Sequence, residues 1–280
     1  MQIGIRLHDI EKAPLETRLE IAARQGFSCG HLALNKVIDT YSTADDALTP
    51  GLAYKLKRDF EKNGLDVAVL GCYLNLANPN QEALKKNVQR YMAHIRFASW
   101  LQVGVVGTET GAVNEGYKFE PANHSEEALE IFIRNLRPIV AYAEKMGVVL
   151  AIEPVYKHIV CNPVRARKVL DEINSPNLMI ILDPVNLLDI SNYEKREEIF
   201  REAIELLGRD VAVLHLKDFV VEDNQLKSVG CGKGLMQYEQ ILSFIKKQKP
   251  FIHATLENTT PETAVASREY IEKIYNSLDV

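Results

Sequence analysis

Eight short apolar, β-branched runs alternate along this chain with eight longer segments in which apolar residues recur every three or four positions. The runs lie near residues 2–7, 29–34, 66–72, 103–107, 148–152, 178–182, 211–216 and 251–256. The amphipathic segments lie near 14–25, 50–63, 81–101, 125–146, 163–174, 194–208, 237–248 and 261–277. In the fourth of these, Leu129, Phe132, Ile133, Leu136, Ile139, Val140 and Ala143 follow the helical spacing. Punctuation supports several boundaries. Ser125 precedes Glu127 and Ala128 as a helix start does, Gly64 and Gly147 stand where a C-terminal cap belongs, and Pro163 suits a first turn. Hydrophobic strands alternating with helices imply a parallel sheet covered by helices on its outer face. Eight units favour closure, so the pattern predicts an α/β fold: a single (β/α)8 TIM barrel over residues 1–280, with its active site at the C-terminal strand ends.

Four runs stop abruptly on a residue able to bind metal. They are Leu150-Ala-Ile-Glu153-Pro154, Ile180-Ile-Leu-Asp183-Pro184, Val213-Leu-His215-Leu-Lys217-Asp218 and Ala254-Thr-Leu-Glu257-Asn258. Burying a lone carboxylate at the end of an apolar strand costs several kcal/mol unless a cation compensates it. In a barrel these four groups, Glu153, Asp183, His215 and Glu257, stand on adjacent staves at one mouth. Each could separately be a strand-end residue satisfied by backbone amides. Together, three carboxylates repel one another without a cation, so the set predicts one divalent metal. Three oxygen donors and one imidazole suit Mn²⁺ first, with Mg²⁺, Co²⁺ or Zn²⁺ as alternatives.

Composition narrows the class. Hydrophobic residues make up 46% of the 280 and charged ones 25%, which is enough apolar material for a sizeable core. The net charge of −5 provides no field to attract nucleic acid. Cys29, Cys72, Cys161 and Cys231 are scattered without a C-x-x-C pair, which fits a reducing compartment. No apolar run approaches the roughly 20 residues that span a bilayer. The chain opens on a strand pattern with no room for a signal peptide, so it reads as cytoplasmic, with no membrane or nucleic-acid partner. A homo-oligomeric assembly remains open.

The chain resembles the xylose isomerase-like TIM barrels, the sugar-phosphate isomerase/epimerase superfamily, over essentially its whole length. The resemblance is carried by Glu153-Pro154, Asp183, His215-Leu-Lys-Asp218, Gly230-Cys-Gly232-Lys-Gly234 and Leu256-Glu257. It implies that Glu153, Asp183, His215 and Glu257 hold one metal and that Glu153 and Glu257 form an acid/base pair. It also implies a small-molecule carbohydrate substrate (a sugar, sugar acid or polyol derivative) isomerised or epimerised through a metal-stabilised enediolate. Two positions depart from the family pattern. Asn186 stands where many relatives have a histidine, and it can donate a hydrogen bond but not carry a proton. The loop Tyr156-Lys157-His158-Ile159 lacks a glutamate, leaving His158 as its polar candidate.

Other residues divide between readings. His8 with Asp9, and Glu109, face the predicted mouth as substrate contacts or as structural partners; Tyr73 and Asn75 are a polar wall or loop caps. Lys217 is expected to pair with Asp218 or nearby loops, or to neutralise a substrate anion. Asn258 is expected behind Glu257. The glycines at 230, 232 and 234 with Lys233 lack phosphate-loop spacing and read as a tight turn. Arg165, Arg167 and Lys168 read as a solvated face, His31 and His94 as core or surface residues, and Trp100 as helix packing. Two other functions compete. An endonuclease IV-like hydrolase is disfavoured by missing histidines and the lack of a basic surface, whereas a non-catalytic sugar-binding barrel is disfavoured by the intact ligand set.

Overall fold

A computed structural model describes residues 1–279. Eight parallel strands close into a barrel: β1 (Gln2–Arg6), β2 (Cys29–Leu32), β3 (Asp66–Gly71), β4 (Val105–Glu109), β5 (Val149–Glu153), β6 (Leu178–Leu182), β7 (Val211–Leu216) and β10 (His253–Leu256). They follow one another round the barrel in chain order, and β10 closes against β1. Helices α1 (Leu15–Arg24), α3 (Pro50–Lys62), α4 (Gln81–Leu101), α5 (Glu126–Met146), α6 (Pro163–Ile173), α7 (Arg196–Leu207), α8 (Glu239–Gln248) and α9 (Ala264–Ser277) connect the staves. A single turn, α2 (Leu34–Val37), follows β2.

The chain's punctuation works as its chemistry requires. Ser125 Oγ accepts from Ala128 N–H at the start of α5, and Gly147 ends that helix in the left-handed conformation. Pro163 occupies the first turn of α6, where its missing N–H costs nothing. The apolar stripe of α5 is buried as its spacing predicts. Most core residues lie between barrel and helices; a small inner cluster of Val69, Ala151, Ile181 and Val213 fills the barrel itself.

Two features depart from the sequence reading. The fourth strand runs two residues further than expected, so Glu109 is its last residue rather than part of the loop after it. A two-stranded antiparallel ribbon, β8 (Asp218–Glu222) and β9 (Gln225–Val229), follows β7 in a stretch where the sequence pattern predicts no strand. Its turn is Asp223-Asn224, both with positive φ, the conformation a tight two-residue hairpin needs. Among the described residues, no helix is long and apolar enough to cross a membrane.

Candidate functional site

A cavity of about 350 Å³ opens at the C-terminal ends of the strands. Glu153 ends β5, Asp183 follows β6, His215 lies near the end of β7 and Glu257 follows β10, so the four groups arrive from four staves. All are buried. His215 Nδ1 lies 3.4 Å from Glu153 Oε2 and 3.3 Å from Glu257 Oε1. Donor atoms within 4.8 Å of one another form two overlapping triads, Glu153–Asp183–His215 and His31–His215–Glu257. The expected quartet therefore divides around a shared histidine, and His31 joins it.

The donor set fits a divalent cation. Three carboxylates meet at one imidazole, and both His215 ring nitrogens are buried without an aligned hydrogen bond. A buried polar atom left in this way costs free energy unless a ligand takes it. The local charges show the same strain. Burial pushes the Asp183 carboxyl up to about 6, against the pull of Lys217. Burial also disfavours the His215 imidazolium, but Glu257 and Glu153 overcome it and raise that pKa to about 9. For Glu257 burial is outweighed by His215, Lys217 and Arg6, which hold it well below the usual carboxylate range.

The surrounding residues depart from several expectations. Lys217 does not pair with Asp218; its Nζ lies 2.7 Å from Asp183 Oδ2 and 3.5 Å from Glu257 Oε2. Asp218 instead accepts from the amides of Phe219, Gly232, Gly234 and Met236. The glycine-rich stretch thus spends its N–H groups on a carboxylate of its own, which supports the turn reading. Asn186 reaches the cleft, and its Nδ2 donates to Glu153 Oε1 at 2.6 Å. Asp183 Oδ1 accepts from the amides of Val185 and Asn186, which fixes that turn.

Glu109 lines the cleft beside Glu153, its in-register neighbour on β5. Burial, and then the Glu153 charge, raise its carboxyl to about 7. His158 does not line the cavity; it stands behind Glu109, 3.8 Å from Oε2, with Tyr117 Oη donating to the same oxygen at 3.3 Å. Burial holds the His158 imidazole down near 4, as it does for His8, which lines the cleft. Asn75 is a loop clamp: its side chain bonds Ala77, Ala112 and Asn114. The Asn258 side chain is exposed rather than packed behind Glu257. Arg165 is not on a solvated face, since its guanidinium donates to the carbonyls of Ile159, His124 and Ser125.

His31, Arg6 and His94 line the cleft although the sequence did not mark them for it, and Tyr73 forms part of the wall, one of its two expected roles. His31 is fully buried, stacks on His215 with 5.4 Å between ring centroids, and has Nδ1 3.9 Å from Glu257 Oε1. Tyr73 packs on His31, with Oη 3.5 Å from its Nε2. Gly71 makes room for both, because a Cβ there would lie 2.6 Å from His31 Nε2 and 2.8 Å from the Tyr73 ring. Arg6 holds Asp9 at 3.0 Å and reaches Glu257 Oε2 at 3.4 Å. Its in-register neighbour across the sheet is His31, a pairing that requires the folded barrel. His94 also lines the cleft, with Nδ1 bonded to the Arg90 carbonyl.

Residues 19–274 match the family model for xylose isomerase-like TIM barrels. The chain belongs to that family. Two curated relatives match parts of it. A 3-oxo-isoapionate decarboxylase of Pectobacterium atrosepticum is 31% identical over 157 residues, covering 53% of this chain and 52% of that protein. A probable L-ribulose-5-phosphate 3-epimerase of Mycoplasma pneumoniae is 29% identical over 140 residues, covering 50% and 42%. The chain thus spans about half the length of the curated relatives it matches. Among solved structures, a D-tagatose 3-epimerase-like protein superposes with a TM-score of 0.76 at 19% identity, over 99% of this chain and 97% of that one. The IOLI protein, with a bound zinc atom, superposes at 0.74 and 16% identity, over 99% and 98%.

Proposed function

We propose that this chain is a divalent-metal-dependent isomerase or epimerase of a small carbohydrate, sugar acid or polyol derivative, with its chemistry at the carbon beside a carbonyl. The observation that carries the proposal is the buried His215 imidazole, flanked by Glu153 and Glu257 and left without an aligned hydrogen bond at either nitrogen. The epimerase relative and the zinc of the IOLI protein support the same reading. Glu153, Asp183, His215 and Glu257 would hold the metal, with manganese as our first assignment and zinc, magnesium or cobalt as alternatives. When bound, such an ion supplies positive charge that stabilises an anion developing on the substrate's carbonyl and hydroxyl oxygens.

The chain's own residues handle the proton. Glu153 and Glu257 approach from β5 and β10, on either side of His215, so one carboxylate can remove a carbon-bound proton and the other return one. Asn186 fixes the Glu153 carboxylate through its amide. His215, and after it Lys217 and Arg6, keep Glu257 ionised. Glu109, with its raised carboxyl, is suited to donate a hydrogen bond to a substrate hydroxyl near neutral pH. Four unpaired, buried cysteines accord with a cytoplasmic location.

A second reading is decarboxylation of a 3-oxo sugar acid, which the identity with the Pectobacterium decarboxylase favours. There the carbon–carbon bond to the carboxylate breaks, carbon dioxide leaves, and the electron pair passes to the neighbouring carbonyl as an enolate; the carbon that lost the carboxylate then takes a proton as the carbonyl re-forms. Both readings are tested with metal-reconstituted protein in deuterium oxide. Exchange at the carbon beside the carbonyl of a ketose, lost in Glu153→Gln and Glu257→Gln, supports the first. Carbon dioxide release from a 3-oxo sugar acid without exchange into ketoses supports the second. Protein that takes up no divalent metal by elemental analysis, and does neither, overturns the proposal.

A further inference from the structure

Charge is unevenly distributed around the cleft. Its carboxylates, Glu109, Glu153 and Glu257, stand at the ends of β4, β5 and β10. Above β1 to β3 the lining turns basic, with Arg6, His8, Lys36, Arg90 and His94, and Asn35 beside Lys36. Most of that charge is already engaged. Arg6 serves Asp9 and Glu257, and Arg90 gives Nη1 to Asp45 at 2.7 Å. Burial lowers the His8 and His94 imidazoles to about 4, so both are neutral near pH 7.

Lys36 is different. It projects from α2 into the cleft wall, is exposed, and makes no ion pair among the described residues. Its charge reaches His8, adding to the forces that disfavour the imidazolium there. The cavity of about 350 Å³ is lined by Lys36 as well as by the strand-end carboxylates. At ~30 Å³ for each water-sized group, that space suits roughly a dozen heavy atoms, a five- or six-carbon chain with its substituents. A neutral polyol would leave the Lys36 charge unused, whereas an anion in a partly enclosed cleft gains from it more than it would in open water.

We propose that the substrate is an anionic sugar derivative whose terminal carboxylate or phosphate is bound by Lys36, with Asn35 beside it, while its carbonyl end faces Glu153 and Glu257. The inference rests on the functional reading above and narrows its substrate class.

Calorimetry on the metal-loaded full chain tests this with three probes: a neutral ketose, its terminal phosphate ester, and the keto acid with a carboxylate at that terminal carbon. One anionic probe is expected to bind about tenfold or more tighter than the neutral ketose, the scale of a charge-assisted hydrogen bond. Which one does so identifies the head group. Lys36→Met is expected to reduce that preference to within about twofold, and Lys36→Arg to keep most of it, because a cation at this position is what recognises the anion. Equal binding of all three probes by the native protein overturns the inference but leaves the functional reading intact. A preference that survives in a folded Lys36→Met protein overturns the assignment to Lys36. Binding of none of the three overturns the functional reading, and this inference with it.

Discussion

Lys217 Nζ stands 2.7 Å from Asp183 Oδ2 and 3.5 Å from Glu257 Oε2, so a buried ammonium bridges two carboxylates that arrive on different staves. Burial disfavours its charge, but Asp183, Glu257 and Glu153 more than compensate and hold its pKa above the usual lysine value. The site therefore carries part of its own neutralisation. Lys217→Met leaves Asp183 buried without its partner. The metal-free variant is expected to lose about 3–5 kcal/mol of stability, the cost of breaking a buried ion pair from one side. Added Mn²⁺ should recover most of that loss, because a divalent ion supplies the missing charge. Urea denaturation with and without metal measures both effects; unchanged metal-free stability would show that Asp183 finds another partner.

Asn186 acts through Glu153. Its 2.6 Å amide contact is a hydrogen bond to an ionisable group, and losing such a bond costs about 1.5–3 kcal/mol. Asn186→Ala is expected to lower kcat/KM by roughly tenfold to a hundredfold. Asn186→Asp should do worse, and should move the basic and acidic limbs of the pH–rate profile, because it sets a second carboxylate against Glu153. A purely structural role for the turn would leave those limbs in place.

How much of this site could be read in advance depended on what each residue type implies locally. The eight strand–helix units, the Ser125 and Gly147 caps and the four strand-end groups were legible, because periodicity and abrupt polar stops are properties of neighbouring residues. His31 was not. It sits inside an apolar strand, and the register between β2 and β3 slips between Gly30 and His31, an irregularity of the kind that re-aims a side chain. Arg6 becomes a cleft residue only through pairing across staves. Arg165 resembled a solvated helix residue until the loop at Pro121–His124 folded over it and offered its carbonyls. Non-local contacts of this kind leave no periodic trace.

Acid should weaken the fold through His94 as well as through the carboxylates. Burial lowers its imidazole to about 4, below the ordinary value of 6.5. A depressed folded-state pKa means that the stabilisation is fully present above pH 6.5 and is lost as pH falls toward 4. Between pH 7 and pH 5 the expected loss from this one group is about 2 kcal/mol. His94→Gln should flatten that part of the stability–pH curve in chemical denaturation. An equal slope in the variant would assign the acid sensitivity to other groups.

Asp218 collects four backbone amides, from Phe219, Gly232, Gly234 and Met236, with both carboxylate oxygens engaged. Asp218→Ala strands those donors, and each buried unsatisfied group costs about 1–3 kcal/mol. Water will reach some of them, so a net loss of roughly 3–5 kcal/mol is expected. Limited proteolysis should then cut between residues 219 and 236 before the barrel itself unfolds. Resistance equal to that of the native protein would assign the segment's order to other contacts.

That clamp also separates two parts of the molecule with different freedoms. Below it, His215 and Lys217 must keep their positions to a fraction of an ångström. Above it, the β8–β9 ribbon projects outward, and its tip at Asp223-Asn224 is exposed. Because four amides tie the base of the ribbon to Asp218 while its tip is exposed, the tip is where foreign sequence is expected to be grafted, lengthened or exchanged with least effect on the site beneath. The same barrel can thus acquire new surface contacts by drift at the ribbon while the reaction centre stays as it was.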